Sequence, residues 1–461
     1  MTTTRKFMDL SVRKRLREVE EEIVSRAPEH DIDPTLARTQ ALLELLGDPQ
    51  STFPLVHITG TNGKTTMARM VERLLLELNL RTGRFTSPHL HDIRERIVLS
   101  GEPISGERFV DTYDEVAPLL ALTEERCVAD GLGRFSFFEV LVVMAYAAFA
   151  DAPVDVAVVE VGMGGQWDAT NVADASVAVI GPIGLDHERY LGSELEDIAG
   201  EKAGIIKPGA LVLSAAQDLG VAELLRERCA EVGAALVFDT TASGEGGGPA
   251  VLARDVAIGG QQVSLRGLAA DYPDLFLPLH GVHQAHNALL ALCAVEAFVG
   301  GGEQPLEQEV VRAAFAAFDS PGRLEIVRRS PTVLVDAAHN PAGVRSLIAA
   351  LVDSFVFGRT IGVFACMADK DADGMLELLE PVFDEIVITR TTSMRAMDPE
   401  RLGALATEFF GEHRVHVVRD LPDALDRAGE LADEEGVGGG VVATGSVFIA
   451  AEVRMLLGKT S

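Results

Sequence analysis

Val12, Leu16, Val19 and Ile23 are apolar positions three to four residues apart among charges, which predicts an amphipathic helix at the start of the fold. A second helix is expected from Pro34 to Leu46, ended by Gly47-Asp48-Pro49. The pattern then changes. Leu55-Val56-His57-Ile58 is a short apolar run, Thr59 to Gly63 is a glycine turn, and Met67, Met70, Val71, Leu74, Leu75 and Leu78 recur at helical spacing. That is a strand, a turn and a helix. Val154–Val161 and Val177–Ile180 read as further buried strands between helix-like segments. The alternation predicts a largely parallel sheet covered by helices on both faces. Val251 to Leu279 is more β-like, with alternation at Leu275, Leu277 and Leu279, and Ser243 to Pro249 (SGEGGGP) reads as a flexible surface loop.

Asp319-Ser320-Pro321-Gly322 interrupts the pattern and marks the expected interdomain junction. Beyond it strand–helix alternation restarts at Val333–Val335, with a helix over Val344, Leu347, Ile348, Leu351 and Val352, then strands at Ile361–Ala365, Ile386–Thr389, Val415–Val418 and Val441–Ala443. The expectation is an α/β protein of two domains. Residues 1–319 form the larger, with a mostly parallel sheet, and residues 320–461 form a smaller open-sheet, Rossmann-like domain. No internal repeat of fixed period is visible.

Composition narrows the partners. Among 461 residues, 70 acidic and 40 basic side chains give a formal charge of −30, a field that repels nucleic acid and anionic membranes but leaves room for a local anion pocket. Cys127, Cys229, Cys293 and Cys366 form no CxxC pair or metal spacing and read as buried reduced thiols. The start of the chain is charged rather than signal-like. The longest apolar run, Val140 to Ala150, has 11 residues, whereas a bilayer span needs about 20. A cytoplasmic, soluble monomer is expected, acting on small molecules.

The strongest chemical signal is Gly60-Thr61-Asn62-Gly63-Lys64-Thr65-Thr66, lying between a strand and a helix. Backbone N–H groups of such a turn, with the positive end of the helix, can wrap a triphosphate. Lys64 would reach the outer phosphates and Thr65 would hold Mg²⁺. Ile58 stands where the standard P-loop has its first glycine, so this is a shortened variant.

GTNGKTT resembles the ATP loop of the Mur ligase superfamily of ATP-dependent amide ligases. Further segments resemble one branch of it, folylpolyglutamate synthase with dihydrofolate synthase. They are Thr86-Ser87-Pro88-His89-Leu90, Phe135–Glu139 (FSFFE), Glu160–Val172 (EVGMGGQWDATNV), Gly184-Leu185-Asp186-His187, Glu201–Ile205 (EKAGI), His283–Asn287 (HQAHN), Pro321-Gly322-Arg323, Asp336–Pro341 (DAAHNP) and Thr444-Gly445-Ser446, in family order along most of the chain. Two departures are Gln166, where the family commonly has arginine, and the SGEGGGP stretch.

The resemblance implies ATP-dependent addition of L-glutamate to a folate or to dihydropteroate through an acyl phosphate, with two Mg²⁺ ions. It assigns Ser87 and Glu160 to one ion, and Glu160, His187 and a carbamylated Lys202 to the second. Ile32-Asp33-Pro34, Ser136-Phe137-Phe138-Glu139 and Trp167-Asp168-Ala169 would contact the pteroate. Asn287, Arg323 and Asp336 would meet the adenine, phosphate and ribose of ATP, whose chemistry suits an amide, a guanidinium and a carboxylate. His339, Asn340 and Ser446 would face the incoming glutamate, although Asn340 before Pro341 also reads as a helix cap. Two alternatives stand beside this reading: a muramyl peptide ligase of the same superfamily, and a P-loop NTPase without ligase activity. The Gly162–Gly165 run lacks the GxGxxG spacing of a dinucleotide oxidoreductase.

Overall fold

The computed structural model describes residues 10–28, 33–242, 247–434 and 438–459. Part of the SGEGGGP stretch, 243–246, and Ile32 lie outside the described residues.

The first sheet has eight strands: β1 (Leu55–Thr59), β2 (Thr82–Phe85), β3 (Ile97–Leu99), β4 (Glu102–Pro103), β5 (Val156–Glu160), β6 (Val177–Ile180), β7 (Leu211–Ser214) and β8 (Ala235–Phe238), in the order β4-β3-β2-β5-β1-β6-β7-β8. All pairings are parallel except those of β3 with β2 and with β4. Every residue of β1 and β5 is buried, as expected of strands covered on both faces. The register sets Ile58 beside Glu160 and Thr59 beside Ile180. From β1 the chain passes through the helix Lys64–Glu77 to β2, on the β5 side, whereas β6 lies on the other side of β1. Open α/β sheets bind ligands beyond the carboxyl ends of strands at such a reversal.

The apolar run Val140–Ala150 forms most of the helix Phe137–Asp151, which is buried nearly all round. It is a core helix. No helix among the described residues is long and apolar enough to cross a membrane. All four cysteines are free and buried.

The β-like stretch forms β9 (Ala250–Ala257), β10 (Gly260–Arg266) and β11 (Asp271–Leu277), a three-stranded sheet in the order β11-β10-β9. A six-stranded sheet follows: β12 (Glu325–Arg329), β13 (Thr332–Val335), β14 (Thr360–Phe364), β15 (Glu385–Ile388), β16 (Val415–Val417) and β17 (Gly440–Thr444), in the order β12-β13-β17-β14-β15-β16, with β12 antiparallel to its neighbour. Its two faces have separate cores. Ile386 and Ile388 pack with Leu347, Leu376 and Leu402, while Val387 packs with Leu425, Leu431 and Val453. Alternate strand residues point to opposite faces, so this sheet too needs helices on both.

The chain divides into two compact units, but not by one cut at 319/320. The first contains 1–252, 265–273 and 286–315, and the second 253–264, 274–285 and 316–461. Parts of the three-stranded sheet group with the second unit because strand pairing links residues distant in sequence, which local composition does not show.

Candidate active site

The glycine turn connects β1 to the helix Lys64–Glu77. Gly63 caps that helix at φ 84°, and a Cβ there would lie 2.8 Å from Asn287 Oδ1. Only glycine fits both the backbone and the space. A Cβ on Gly60 would lie 3.1 Å from Gly181 Cα, so the turn is packed against the segment after β6. Thr61 fixes this contact: its N–H donates to Pro182 O at 2.9 Å and its hydroxyl to Gly184 O at 2.9 Å. The Lys64 ammonium curls back and donates to Gly60 O (2.9 Å) and Thr61 O (3.3 Å). Asn62 and Thr66 complete the loop and the first turn of the helix, where Thr66 is buried.

Glu160 ends β5 and is 1% exposed. Its carboxylate accepts from the Thr65 hydroxyl at 2.9 and 3.0 Å and from the Ser87 N–H at 3.1 Å. Three residues distant in sequence meet because β1, β5 and β2 are neighbours. A carboxylate with a hydroxyl oxygen beside it is a donor set suited to Mg²⁺, which takes one or two carboxylates and completes its shell with water and phosphate oxygens. Among the described residues no cluster of three His, Cys, Asp or Glu side chains stands ready for a metal.

Lys202 lies in the last turn of the helix Leu195–Ala203 and is 4% exposed. Its ammonium donates to Gly60 O at 3.1 Å. Burial, followed by the nearby positive charge of Lys64, lowers its pKa to about 7 despite the opposing fields of Asp186, Asp168 and Glu201. His187 adopts φ 54° at the start of the short helix Glu188–Leu191, with its ring Nε2 3.9 Å from Asp186 Oδ2. The neighbouring loop is anchored by its backbone. Gln166 N–H donates to Glu201 O at 2.8 Å, and the Asn171 amide donates to Gln166 O and Gly204 O, both at 3.1 Å. The side chain at 166 is exposed, so an arginine is not required to hold this loop.

The segments matched to pteroate contacts carry much of their own architecture. Ser136 caps the helix Phe137–Asp151 in a reciprocal capping box with Glu139. Phe137 is buried with the Arg96 guanidinium 4.9 Å above its ring, which covers that face. Phe138 is partly exposed and meets Phe85 edge-on at 5.7 Å. A Cβ on Gly162 would lie 2.5 Å from the Phe138 ring, which ties the Gly162 loop to this aromatic. Asp168 is buried and accepts from Met163 N–H at 2.9 Å and Thr170 N–H at 3.0 Å. Burial raises its pKa, offset by those hydrogen bonds. Trp167 lies partly exposed at Gly164, and Ala169 is buried. Asp33 and Pro34 are exposed.

In the second unit, Asp336 accepts from Leu324 N–H and Ala338 N–H, both at 2.8 Å. Burial raises its pKa, and Arg323 opposes the rise. Leu324, beside Arg323, has φ 44°, a left-handed conformation costing roughly 1–2 kcal/mol for a residue with a side chain, and the bond to Asp336 holds it there. Asn340 caps the helix Pro341–Ser354 through Gly343 N–H at 2.7 Å, and Ser446 caps Val447–Leu456 through Ile449 N–H at 3.1 Å. Each such cap contributes about 1 kcal/mol. His339 Nδ1 lies 2.9 Å from Ala337 O.

Two arginines escaped the motif reading. Arg96 stacks on Phe137 and donates to His89 Nδ1 at 2.9 Å. Arg38, 3% exposed, joins Asp33 to Glu139. The signal for Arg38 was a cation on the turn of helix that precedes the apolar Leu42 and Leu43, where burial demands a partner.

Residues 322–447 match the Mur ligase, glutamate ligase domain. The chain is 49% identical to the dihydrofolate synthase/folylpolyglutamate synthase of Mycobacterium tuberculosis, over 96% of this chain and 94% of that protein. It is 30% identical to the Bacillus subtilis protein of the same name, over 92% of this chain and 95% of that one. The crystal structure of Mycobacterium tuberculosis folylpolyglutamate synthase complexed with ADP and AMPPCP superposes with a TM-score of 0.91 at 48% identity, covering 97% of this chain and 99% of that one. A shortened phosphate loop facing a buried strand-end carboxylate, continued into a glutamate ligase domain, thus belongs to a chain of the dihydrofolate synthase/folylpolyglutamate synthase family of ATP-dependent glutamate ligases.

Proposed function

We propose that this ligase joins the amine of L-glutamate to a carboxylate of dihydropteroate and of reduced folates, through an acyl phosphate made from ATP. The observation that carries the reading is the contact of Thr65, in the phosphate loop, with the buried Glu160 carboxylate. A carboxylate is a poor electrophile at neutral pH; phosphorylation converts its oxygen into a leaving group that the glutamate amine displaces. In this reading Lys64 turns from the loop carbonyls to the outer phosphates, and Asn287, packed on Gly63, takes the adenine. Arg323 and Asp336 are the proposed phosphate and ribose contacts. His339, Asn340 and Ser446 are the proposed glutamate contacts.

Thr65, Ser87 and Glu160 would hold one Mg²⁺, and Glu160, His187 and Lys202 a second. When bound, such ions neutralise phosphate charge during transfer. For Lys202 to serve, its ammonium first loses a proton; the neutral amine then adds CO₂, an N–C bond forming as one C=O π bond opens, and a second proton leaves the nitrogen, so that a cation becomes an anionic oxygen donor. Its burial and its lowered pKa support this, because only the neutral amine reacts. Asp33, Pro34, Ser136, Phe137, Phe138, Glu139, Trp167, Asp168 and Ala169 are the proposed surroundings of the pteroate. The same reading places the enzyme in the cytoplasm, where its four free thiols stay reduced.

The test is phosphate release and product mass with dihydropteroate or tetrahydrofolate, with and without L-glutamate. Release that requires both pteridine and glutamate, with a product one glutamate heavier, is expected. Release indifferent to both would favour a plain NTPase, and turnover only with a muramyl peptide would favour the other branch.

A further inference from the structure

We propose that Arg38 is a positioning residue that holds the two separate segments of the pteroate site, 33–34 and 136–139, in fixed register. The inference rests on the reading above that these segments surround the pteroate.

Arg38 lies in the first turn of the helix Ala37–Leu45. All three guanidinium nitrogens are engaged. Nε donates to Glu139 Oε1 at 2.9 Å, Nη1 to Asp33 Oδ2 at 2.7 Å and also to Leu132 O, and Nη2 to Asp33 O at 2.9 Å. The other Glu139 oxygen accepts from the Ser136 N–H at 2.8 Å and its hydroxyl at 2.9 Å. One polar chain therefore runs from Asp33 through Arg38 and Glu139 to Ser136. Exposure falls along it: the Asp33 side chain at one end is 73% exposed, whereas those of Arg38 and Glu139 in its middle are 4% and 6% exposed.

The geometry explains why arginine is needed. The acceptors come from residues 33, 132 and 139, in three stretches of chain, and a planar fork of fixed nitrogens meets them together. A lysine keeps the charge but offers one nitrogen, so it satisfies Glu139 or the 33 segment and releases the other. Exposed Asp33 gains little from an ion pair alone; its carboxylate and its backbone carbonyl meet the same guanidinium, and the two bonds together pin the segment.

The experiment compares wild type with Arg38→Lys, Asp33→Asn and the double variant. It measures KM for dihydropteroate, KM for ATP, kcat and melting temperature, and calorimetric binding of dihydropteroate in the presence of AMPPCP. Arg38→Lys is expected to raise KM for dihydropteroate at least tenfold while KM for ATP and kcat change less than twofold. Asp33→Asn, exposed and harmless to folding, is expected to raise it several-fold, and the double variant to match Arg38→Lys alone, because both cut the same chain. Unchanged dihydropteroate KM in Arg38→Lys, fully additive effects, or parallel losses in every parameter would overturn the proposal. Failure of the wild type to bind dihydropteroate would instead overturn the underlying site assignment, and the proposal with it.

Discussion

The Thr65 hydroxyl, in the first turn of the helix that follows β1, lies 2.9 and 3.0 Å from the two carboxylate oxygens of Glu160 at the end of the neighbouring strand β5. A carboxylate 1% exposed at a strand end is costly to bury, a cost that the hydroxyl and the Ser87 N–H help to offset. Glu160→Gln removes the charge and keeps the shape. It is expected to lower kcat about a hundredfold or more while melting at the wild-type temperature or above it, the trade expected where an active site stores instability. Phosphate release and thermal melting on the same preparations check both halves. A variant that turns over normally would remove Glu160 from the chemistry.

Lys64 donates to the carbonyls of Gly60 and Thr61 in its own loop. Lys64→Ala should therefore cost little stability and roughly 10²–10³-fold in turnover, the scale of a lost charge contact to a transition state. Circular dichroism and phosphate release with pteridine and glutamate present separate the two. Activity within a fewfold of wild type would refute the phosphate-loop role.

Lys202→Ala should lose most ligase activity, and formate or acetate should restore part of it by supplying an anionic oxygen in the same space. Lys202→Arg should stay inactive because it keeps the positive charge and cannot add CO₂. Carbon-13 NMR under labelled CO₂ reads the adduct directly. Full activity with no labelled carbamate signal would exclude it.

His57 is fully buried in β1, its ring Nε2 2.9 Å from the Thr170 hydroxyl. That hydroxyl donates to Asp168, so it accepts from Nε2–H and leaves Nδ1 buried without a partner. Burial, with Lys207 nearby, lowers the His57 pKa from 6.5 to about 3. Between those values the unfolded chain binds a proton that the folded chain does not. Stability from this group is thus complete above about pH 6.5 and falls as pH drops toward 3, by up to ~1.4 kcal/mol per pH unit. His57→Gln should flatten that slope. Urea unfolding of both proteins at pH 7 and pH 5 checks it, and equal slopes would mean that His57 does not carry the effect.

The sequence by itself determined the strand–turn–helix order, both α/β sheets and the location of the phosphate loop, because periodicity and glycine conformation act over a few neighbouring residues. Val177–Ile180 as a strand and Gly63 as the helix cap are local facts. The ordered motifs also identified the family. What only the tertiary structure decided was which of those residues share a space. Residues 59–65, 87 and 160 meet because β1 lies between β5 and β6 and β5 lies beside β2, an order that pairing energies choose across a hundred residues. The interleaved division of the chain around β9–β11 arose in the same way. Arg38 is the clearest case. Its sequence neighbours offer a short helix with one cation, and its function as a junction depends on Asp33 and Glu139 arriving from separate segments. A hydrogen bond needs its partners within about 3 Å, and that closeness belongs to the folded chain.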